Sequence, residues 1–358
     1  MSRLFTPFDL RKTTFANRVW VSPMCQYSAV DGVPDDWHLV HLGSFARGGV
    51  GLVFTEATAV TPQGRISPAD TGIWNDEQAS AWSRIVEFVH RQGTVAGMQL
   101  AHAGRKASAI PPWEGRGPVS DTEGGWEPVA PSPVAADALR DPRALTVAEI
   151  GDVAASFASA AERAVACGFD VLEVHAAHGY LLHEFLSPLS NRRTDEYGGG
   201  FDNRVRIVLE VVDAVRAVLP EHMPVFVRLS ATDWVDGGWS ADESVRLAGL
   251  LRGRGIDLVD VSSGGVVAAD IPVGPGYQVE FARRIRQEAD VPTGAVGMIT
   301  DPRQAEQIVA EGSADAVLLA RELLRNPHWA LLAAHELGVR PGAGVAWPKQ
   351  YLRALPAD

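Results

Sequence analysis

Two imidazoles and a phenol crowd the end of one hydrophobic segment, Asp170-Val-Leu-Glu-Val-His175-Ala-Ala-His178-Gly-Tyr180. The residues through Val174 alternate with period two, which reads as a buried strand. Polar groups then gather at its C-terminal end, where parallel α/β proteins place their catalytic groups. His175 and His178 offer two donors to an oxygen, and Tyr180 offers a proton. His183 follows closely, so a His-x-x-His metal site is an alternative. The carboxylate partners of the usual metal patterns are missing apart from Glu184, which makes that alternative the weaker one. A Schiff-base reaction is disfavoured because no strand carries a lysine at its inner end.

Other strand ends supply complementary groups. Alternation puts Glu173 and His175 on one face of a fourth strand, and Phe226, Arg228 and Ser230 on one face of a fifth. An inward guanidinium must be paired, with Glu173 or with Asp260. Its five donors would still leave an edge for an electron-rich ligand. Gln99, near the end of a third strand, can both donate and accept toward a heteroaromatic edge. The first strand runs into Ser22-Pro23-Met24-Cys25-Gln26-Tyr27. A lone cysteine is usually a small core residue and an aromatic after a strand usually packs, but both lie here just past the rim. The last two strands end in Gly294-Ala-Val-Gly297 and Leu319-Ala320-Arg321, a glycine and an arginine suited to holding a phosphate.

These residues need a frame that converges them. Eight strand-like segments recur: Val19–Met24, Gly51–Thr58, Val95–His102, Asp170–His178, Pro224–Ala231, Leu258–Gly265, Pro292–Ile299 and Asp315–Glu322. Helical stretches are expected near 36–47, 76–92, 146–167, 201–219, 240–254, 277–289, 301–312 and 322–337. Thr146-x-x-Glu149 is a capping box, and Ser240 and Asp301-Pro302 are further helix starts. Eight β–α units in order predict a (β/α)8 TIM barrel spanning 1–358 as a single domain. A doubly wound open sheet is less suitable, because no Gly-x-Gly-x-x-Gly follows the first strand. The Pro/Gly/Trp-rich segment at about 108–133 reads as an active-site lid, and 340–358 as a C-terminal tail.

Composition bounds the function. Of 358 residues, 46% are hydrophobic, enough for a full core, and a net charge of −12 argues against nucleic-acid binding. No apolar run approaches a membrane span, and Cys25 and Cys167 alone provide no disulfide framework. A soluble cytoplasmic enzyme is expected.

The segment His175-Ala-Ala-His-Gly-Tyr-Leu-Leu-His-Glu-Phe-Leu-Ser-Pro-Leu-Ser-Asn-Arg-Arg-Thr-Asp-Glu-Tyr-Gly-Gly199 resembles the signature of the old yellow enzyme family, flavin-dependent ene-reductases on a barrel. Ser22-Pro-Met-Cys-Gln-Tyr27, Gln99-Leu-Ala-His-Ala-Gly-Arg-Lys106, Phe226-Val-Arg228 and Gly294-Ala-Val-Gly-Met-Ile-Thr300 are similar to the family as well. The Cys25 and Tyr27 pair resembles its xenobiotic-reductase-like (thermophilic-like) class. The resemblance implies FMN held by Ser22, Pro23, Met24 and Cys25, with Ala57 beneath the ring. It implies Gln99 and Arg228 at the flavin's pyrimidine edge, and Gly297, Ala320 and Arg321 at its phosphate. Ala320 stands where the family commonly has glycine, so that site depends on backbone angles that suit alanine. His175 and His178 would grip the activating oxygen of an electron-poor alkene, Tyr180 would protonate it, and Tyr27 would line the pocket. Hydride would come from NADPH or NADH by way of the flavin. The resemblance also implies a homodimer or homotetramer in which Arg353 reaches a neighbouring active site.

Overall fold

The strands predicted one by one close on themselves. In the computed structural model, which describes residues 2–356, eight parallel strands form a closed barrel. They are β1 (Val19–Val21), β2 (Leu52–Ala59), β3 (Val95–Ala101), β4 (Val171–Ala176), β5 (Val225–Ser230), β6 (Leu258–Ser262), β7 (Thr293–Ala295) and β8 (Ala316–Leu319). Each pairs with its successor, and β8 returns to β1. The outer helices are α1 (Asp36–Arg47), α2 (Asp76–Arg91), α3 (Val147–Ala166), α4 (Arg206–Val218), α5 (Ala241–Arg252), α6 (Val279–Ala289), α7 (Pro302–Ala310) and α8 (Trp329–Glu336). Among the described residues, no helix is long and apolar enough to cross a membrane.

Local chemistry sets the helix starts. Thr146 accepts from Glu149 N–H while Glu149 accepts from Thr146 N–H at 2.8 Å, the reciprocal cap its spacing predicts. Ser240 and Glu243 repeat the arrangement, and Asp301 caps α7 ahead of Pro302. Two expected helices are broken. The stretch 201–219 divides at Val205, and 322–337 divides at Asn326-Pro327, where proline cannot donate to a continuing helix. Five strands also end two or more residues early. β6, β7 and β8 stop at Ser262, Ala295 and Leu319 instead of 265, 299 and 322. β1 stops at Val21, because Pro23 has no N–H for the ladder, and β4 stops at Ala176, because His178 turns left-handed at φ 60°. Pro23, Met24, His178, Gly297, Ala320 and Arg321 therefore lie past the strand ends.

The barrel interior changes character along its axis. At the N-terminal end Trp20, Phe54, Phe226 and Leu258 pack together, plugged from below by the hairpin Phe8–Leu10/Thr13–Phe15. Phe15 lies against Trp20 with ring centroids 4.7 Å apart. Above this apolar floor come the buried polar residues Gln99, Glu173, Arg228 and Asp260. A bulge in β2, where Phe54 and Ala57 face Gly97 and Gln99 of β3, lets both Phe54 and Ala57 point inward. Without the extra residue, one of them would face the helices.

Between β3 and α3 the chain forms a flap. Ala109 bridges to Pro118, and Val129–Ala130 pairs with Arg143–Ala144. Its base is fixed by Arg65, whose guanidinium lies 5.1 Å from the Trp126 ring and 5.5 Å from the Trp74 ring. Its tip carries Trp113, 66% exposed, edge-on to Tyr27 at 5.6 Å.

Candidate active site

The turn after β4 is built to a fixed shape. His178 and Gly179 both have left-handed φ, 60° and 71°, reversing the chain so that Tyr180 folds back beside the strand. His178 N–H donates to Ser230 Oγ at 2.9 Å, and Ser230 Oγ–H donates to Gly264 O at 2.7 Å. Gly179 N–H donates to His183 Nδ1 at 2.9 Å, while His183 Nε2 faces Asp233 Oδ1 at 3.1 Å. Lys106 Nζ donates to His178 O at 2.7 Å and sits 5.6 Å from the Tyr180 ring. The loop is thereby tied to the end of β5, to Lys106 beyond β3 and, through His183, to the helical turn that follows it. As a result His175 stacks edge-on with His178 at 5.2 Å and with Tyr180 at 5.1 Å. His183 turns away from this trio and serves the turn itself.

Burial sets the protonation states. It pushes the His175 and His178 imidazoles well down, with the Arg228 charge adding to the effect, so both rings are neutral at ordinary pH. His178 Nε2 lies 2.7 Å from Ser262 Oγ, and with Ser262 as donor the ring proton sits on Nδ1, free for a ligand. His175 Nδ1 is buried without a protein partner among the described residues. Burial also pushes the Tyr180 phenol well up, so it keeps its proton.

A cavity of about 270 Å³ runs from Ser22 and Arg228 on the barrel axis to Gly297, Ala320 and Arg321 at the β7–β8 edge. Arg228 Nε lies 3.0 Å from Asp260 Oδ2; of the two pairings open from sequence, the structure makes this one. Glu173 instead accepts from Gln99 Nε2 at 2.7 Å. Gln99 Oε1 and both Nη groups of Arg228 have no hydrogen-bond partner among the described residues. Gly297 has φ +121°, and a Cβ there would lie 3.1 Å from Gln278 Nε2, so glycine is required. Ala320 has φ −117° and ψ −96°, so no left-handed φ demands glycine there.

Beside the end of β8, Ser22 N–H still pairs with Leu319 O at 2.9 Å, and Pro23, Met24 and Cys25 follow half-buried. Gln26 N–H donates to the buried Glu56 at 3.0 Å, fixing the turn in which Tyr27 takes φ 49°. Burial, then the nearby Asp70 and Glu56, push the Cys25 thiol well up. Ala57 sits beside Gln99 in the β2–β3 register.

Arg353 is not part of this assembly. It lies on the exposed turn Lys349–Ala354, whose Tyr351 ring packs 5.7 Å from Arg47 at the end of α1, toward the far end of the barrel. Sequence reasoning missed Ser230, Ser262, Asp233, Tyr277 and Gln278. The last two line the cavity from the β6–α6 loop, and only the β6–β7 adjacency brings them there.

Comparison with known proteins agrees with this geometry. A model of the NADH:flavin oxidoreductase / NADH oxidase family matches residues 3–339. An NADPH dehydrogenase from Geobacillus thermodenitrificans is 48% identical over 353 residues, covering 98% of this chain and 98% of its own. The structure of a morphinone reductase in complex with tetrahydroNAD superposes with a TM-score of 0.78 at 30% identity, over 99% of this chain and 98% of that one. An old yellow enzyme homologue from Zymomonas mobilis superposes at 0.80 with 27% identity, over 99% of both chains.

Proposed function

Because this chain belongs to the NADH:flavin oxidoreductase / NADH oxidase family and is an FMN-dependent NAD(P)H oxidoreductase of the old yellow enzyme type, we propose that it reduces the C=C bond of α,β-unsaturated carbonyl or nitro compounds, with Tyr180 as proton donor. The observation that carries this reading is the trio His175, His178 and Tyr180, with ring centroids about 5 Å apart, at the mouth of the barrel that also holds Arg228.

The residues present fit FMN by their own chemistry. The unpartnered Arg228 Nη groups and Gln99 Oε1 are donors and an acceptor for the polar edge of a flat heteroaromatic ring. Gly297, Ala320 and Arg321 line the far end of the cavity, where backbone N–H groups and a guanidinium suit a phosphate. Ser22, Pro23, Met24, Cys25 and Ala57 would line the remaining ring edge and face. When bound, FMN supplies the two-electron carrier between NADPH or NADH and the alkene.

The rest of the reaction falls to the chain. Neutral His175 and His178 donate to the substrate's carbonyl or nitro oxygen. Such donors matter most where charge develops, at about 2.7–4 kcal/mol for each in comparable sites. Tyr180, protonated and buried, delivers its proton to the carbon next to the activating group. Tyr27 and Trp113, packed edge-on, would form the outer wall of the pocket around a bound substrate. The flap at 108–133 is thus a lid on one barrel domain. Arg353, remote from its own cavity, would reach a neighbouring active site in a homodimer or homotetramer.

Purified protein should be yellow with flavin absorption, and without oxygen should turn over NADPH or NADH only when an alkene such as 2-cyclohexenone is present. A flavin-loaded protein that leaves activated alkenes untouched would refute the ene-reductase reading.

A further inference from the structure

Below the mouth, three charged side chains share the dry interior of the barrel: Glu173 on β4, Arg228 on β5 and Asp260 on β6. Glu173 and Asp260 have no exposed surface, and Arg228 has 6%. One guanidinium can compensate one carboxylate. A second ionised carboxyl would stand uncompensated in a low-dielectric interior, the costliest arrangement for a buried charge.

Geometry decides which carboxyl is left over. Asp260 Oδ2 lies 3.0 Å from Arg228 Nε. Glu173 Oε1 meets only the neutral amide Gln99 Nε2, at 2.7 Å, and Glu173 Oε2 has no protein partner among the described residues. The groups that face Glu173 are Gln99 from β3, Arg228 from β5 and Asp260 from β6, with His175 and His178 above it on its own strand and loop. Both imidazoles are neutral, so neither supplies a second positive charge.

We propose that Glu173 carries a proton at neutral pH, making the Glu173–Arg228–Asp260 cluster electrically neutral, and that loss of this proton at alkaline pH turns the floor of the flavin site net negative. Burial and the Asp260 charge push the Glu173 carboxyl up, with Arg228 and the Gln99 hydrogen bond acting against them. Burial raises Asp260 too, opposed by its partner Arg228. The sign of the effect follows from Coulomb's law. An extra negative charge beneath the ring disfavours placing electrons above it, so the protonated form holds the site ready for reduction. The effect on reduction rests on the flavin reading given above, whereas the protonation of Glu173 does not.

The experiment has two arms. Infrared difference spectra of FMN-free protein, labelled with ¹³C on glutamate or on aspartate side-chain carboxyls, should show a protonated carboxyl at neutral pH. Its carbonyl band should shift with the glutamate label and disappear in Glu173→Gln. Burial pushes the Glu184 and Asp70 carboxyls up as well, so the assignment rests on the difference between wild type and variant. A spectrum in which Glu173→Gln removes no glutamate-labelled band overturns the proposal. In the FMN-loaded enzyme, Glu173→Gln should have the wild-type reduction potential at neutral pH. At alkaline pH the wild-type value should fall below that of the variant. A variant potential already higher at neutral pH means that Glu173 is ionised there, and overturns the proposal as well. If the protein held no FMN the functional reading would fail, yet the loss of the glutamate band in Glu173→Gln would still decide the state of Glu173. If that variant does not fold, Glu184→Gln takes its place: a glutamate-labelled band that remains in it belongs to Glu173, and its absence overturns the proposal.

Discussion

Tyr180 is a phenol that burial holds in its protonated form, beside two imidazoles that burial holds neutral. A donor of this kind acts only when a stronger base forms next to it, as at a substrate carbon receiving hydride. Tyr180→Phe removes the proton and keeps the ring, so alkene reduction should slow by roughly 10²–10⁴-fold while reduction of the flavin by NADPH stays near the wild-type rate. Stopped-flow measurement of the two half-reactions checks this, and an unchanged oxidative half-reaction would remove Tyr180 from the acid role. Cys25 is set the other way from a reactive thiol. Its sulfur is desolvated and faces Asp70 and Glu56, so the thiolate needed for redox chemistry is disfavoured. The trio itself was legible in sequence because its members share one short segment. Ser230 and Ser262, which fix the orientation of His178, were not. They lie 52 and 84 residues away in sequence, on strands whose contact with the His178 loop is made only when the barrel closes.

At the scale of elements, the strand ends matter less than the turns that follow them. The eight strands and most helices could be read from apolar periodicity and caps, because those signals are local. Where the strands stop could not. Backbone angles at His178, Gly179 and Tyr27 depend on contacts with other loops, and β1 and β4 both proved shorter than their apolar runs. His183 shows how such a turn is held. Its Nδ1 accepts from Gly179 N–H, and its Nε2 faces the buried Asp233, which also accepts from Ser187 Oγ at 2.6 Å and Trp239 N–H at 2.7 Å. Burial acts to raise Asp233, but the bonds from His183, Ser187 and Trp239 outweigh it and hold its carboxyl below the ordinary value. The stability this contributes is therefore present above the unfolded carboxyl range and is lost as pH falls through the folded value. His183→Ala strips that carboxylate of a hydrogen-bond donor, so it should cost about 1.5–3 kcal/mol in urea unfolding, more at neutral pH than in acid. A loss within about 1 kcal/mol, the usual size for a single substitution, would make the pair incidental to the turn.

Across the whole molecule, one of the residues proposed to act stands apart from the rest. Arg353 sits on an exposed turn anchored by Tyr351, which packs against Arg47 of α1 and, with ring centroids 5.5 Å apart, against His328 at the start of α8. These contacts join three elements that each expose apolar surface: Val40 at 70%, Leu332 at 45% and Leu352 at 49%. Exposed apolar side chains on these elements suit a contact with a second copy, which would carry the tail toward that copy's cavity. The tail and the trio would then belong to one active site but to different protomers, and this can be tested by complementation. Truncation after Pro348 should raise KM for the alkene and leave FMN binding intact, since no cavity residue is removed. Mixing tailless protomers, which keep Tyr180, with full-length Tyr180→Phe protomers should restore the wild-type KM in the mixed dimers, because only there does an intact Tyr180 meet an intact Arg353. A tailless enzyme with unaltered kinetics, or a mixture that behaves as the sum of its parts, would confine each active site to its own chain.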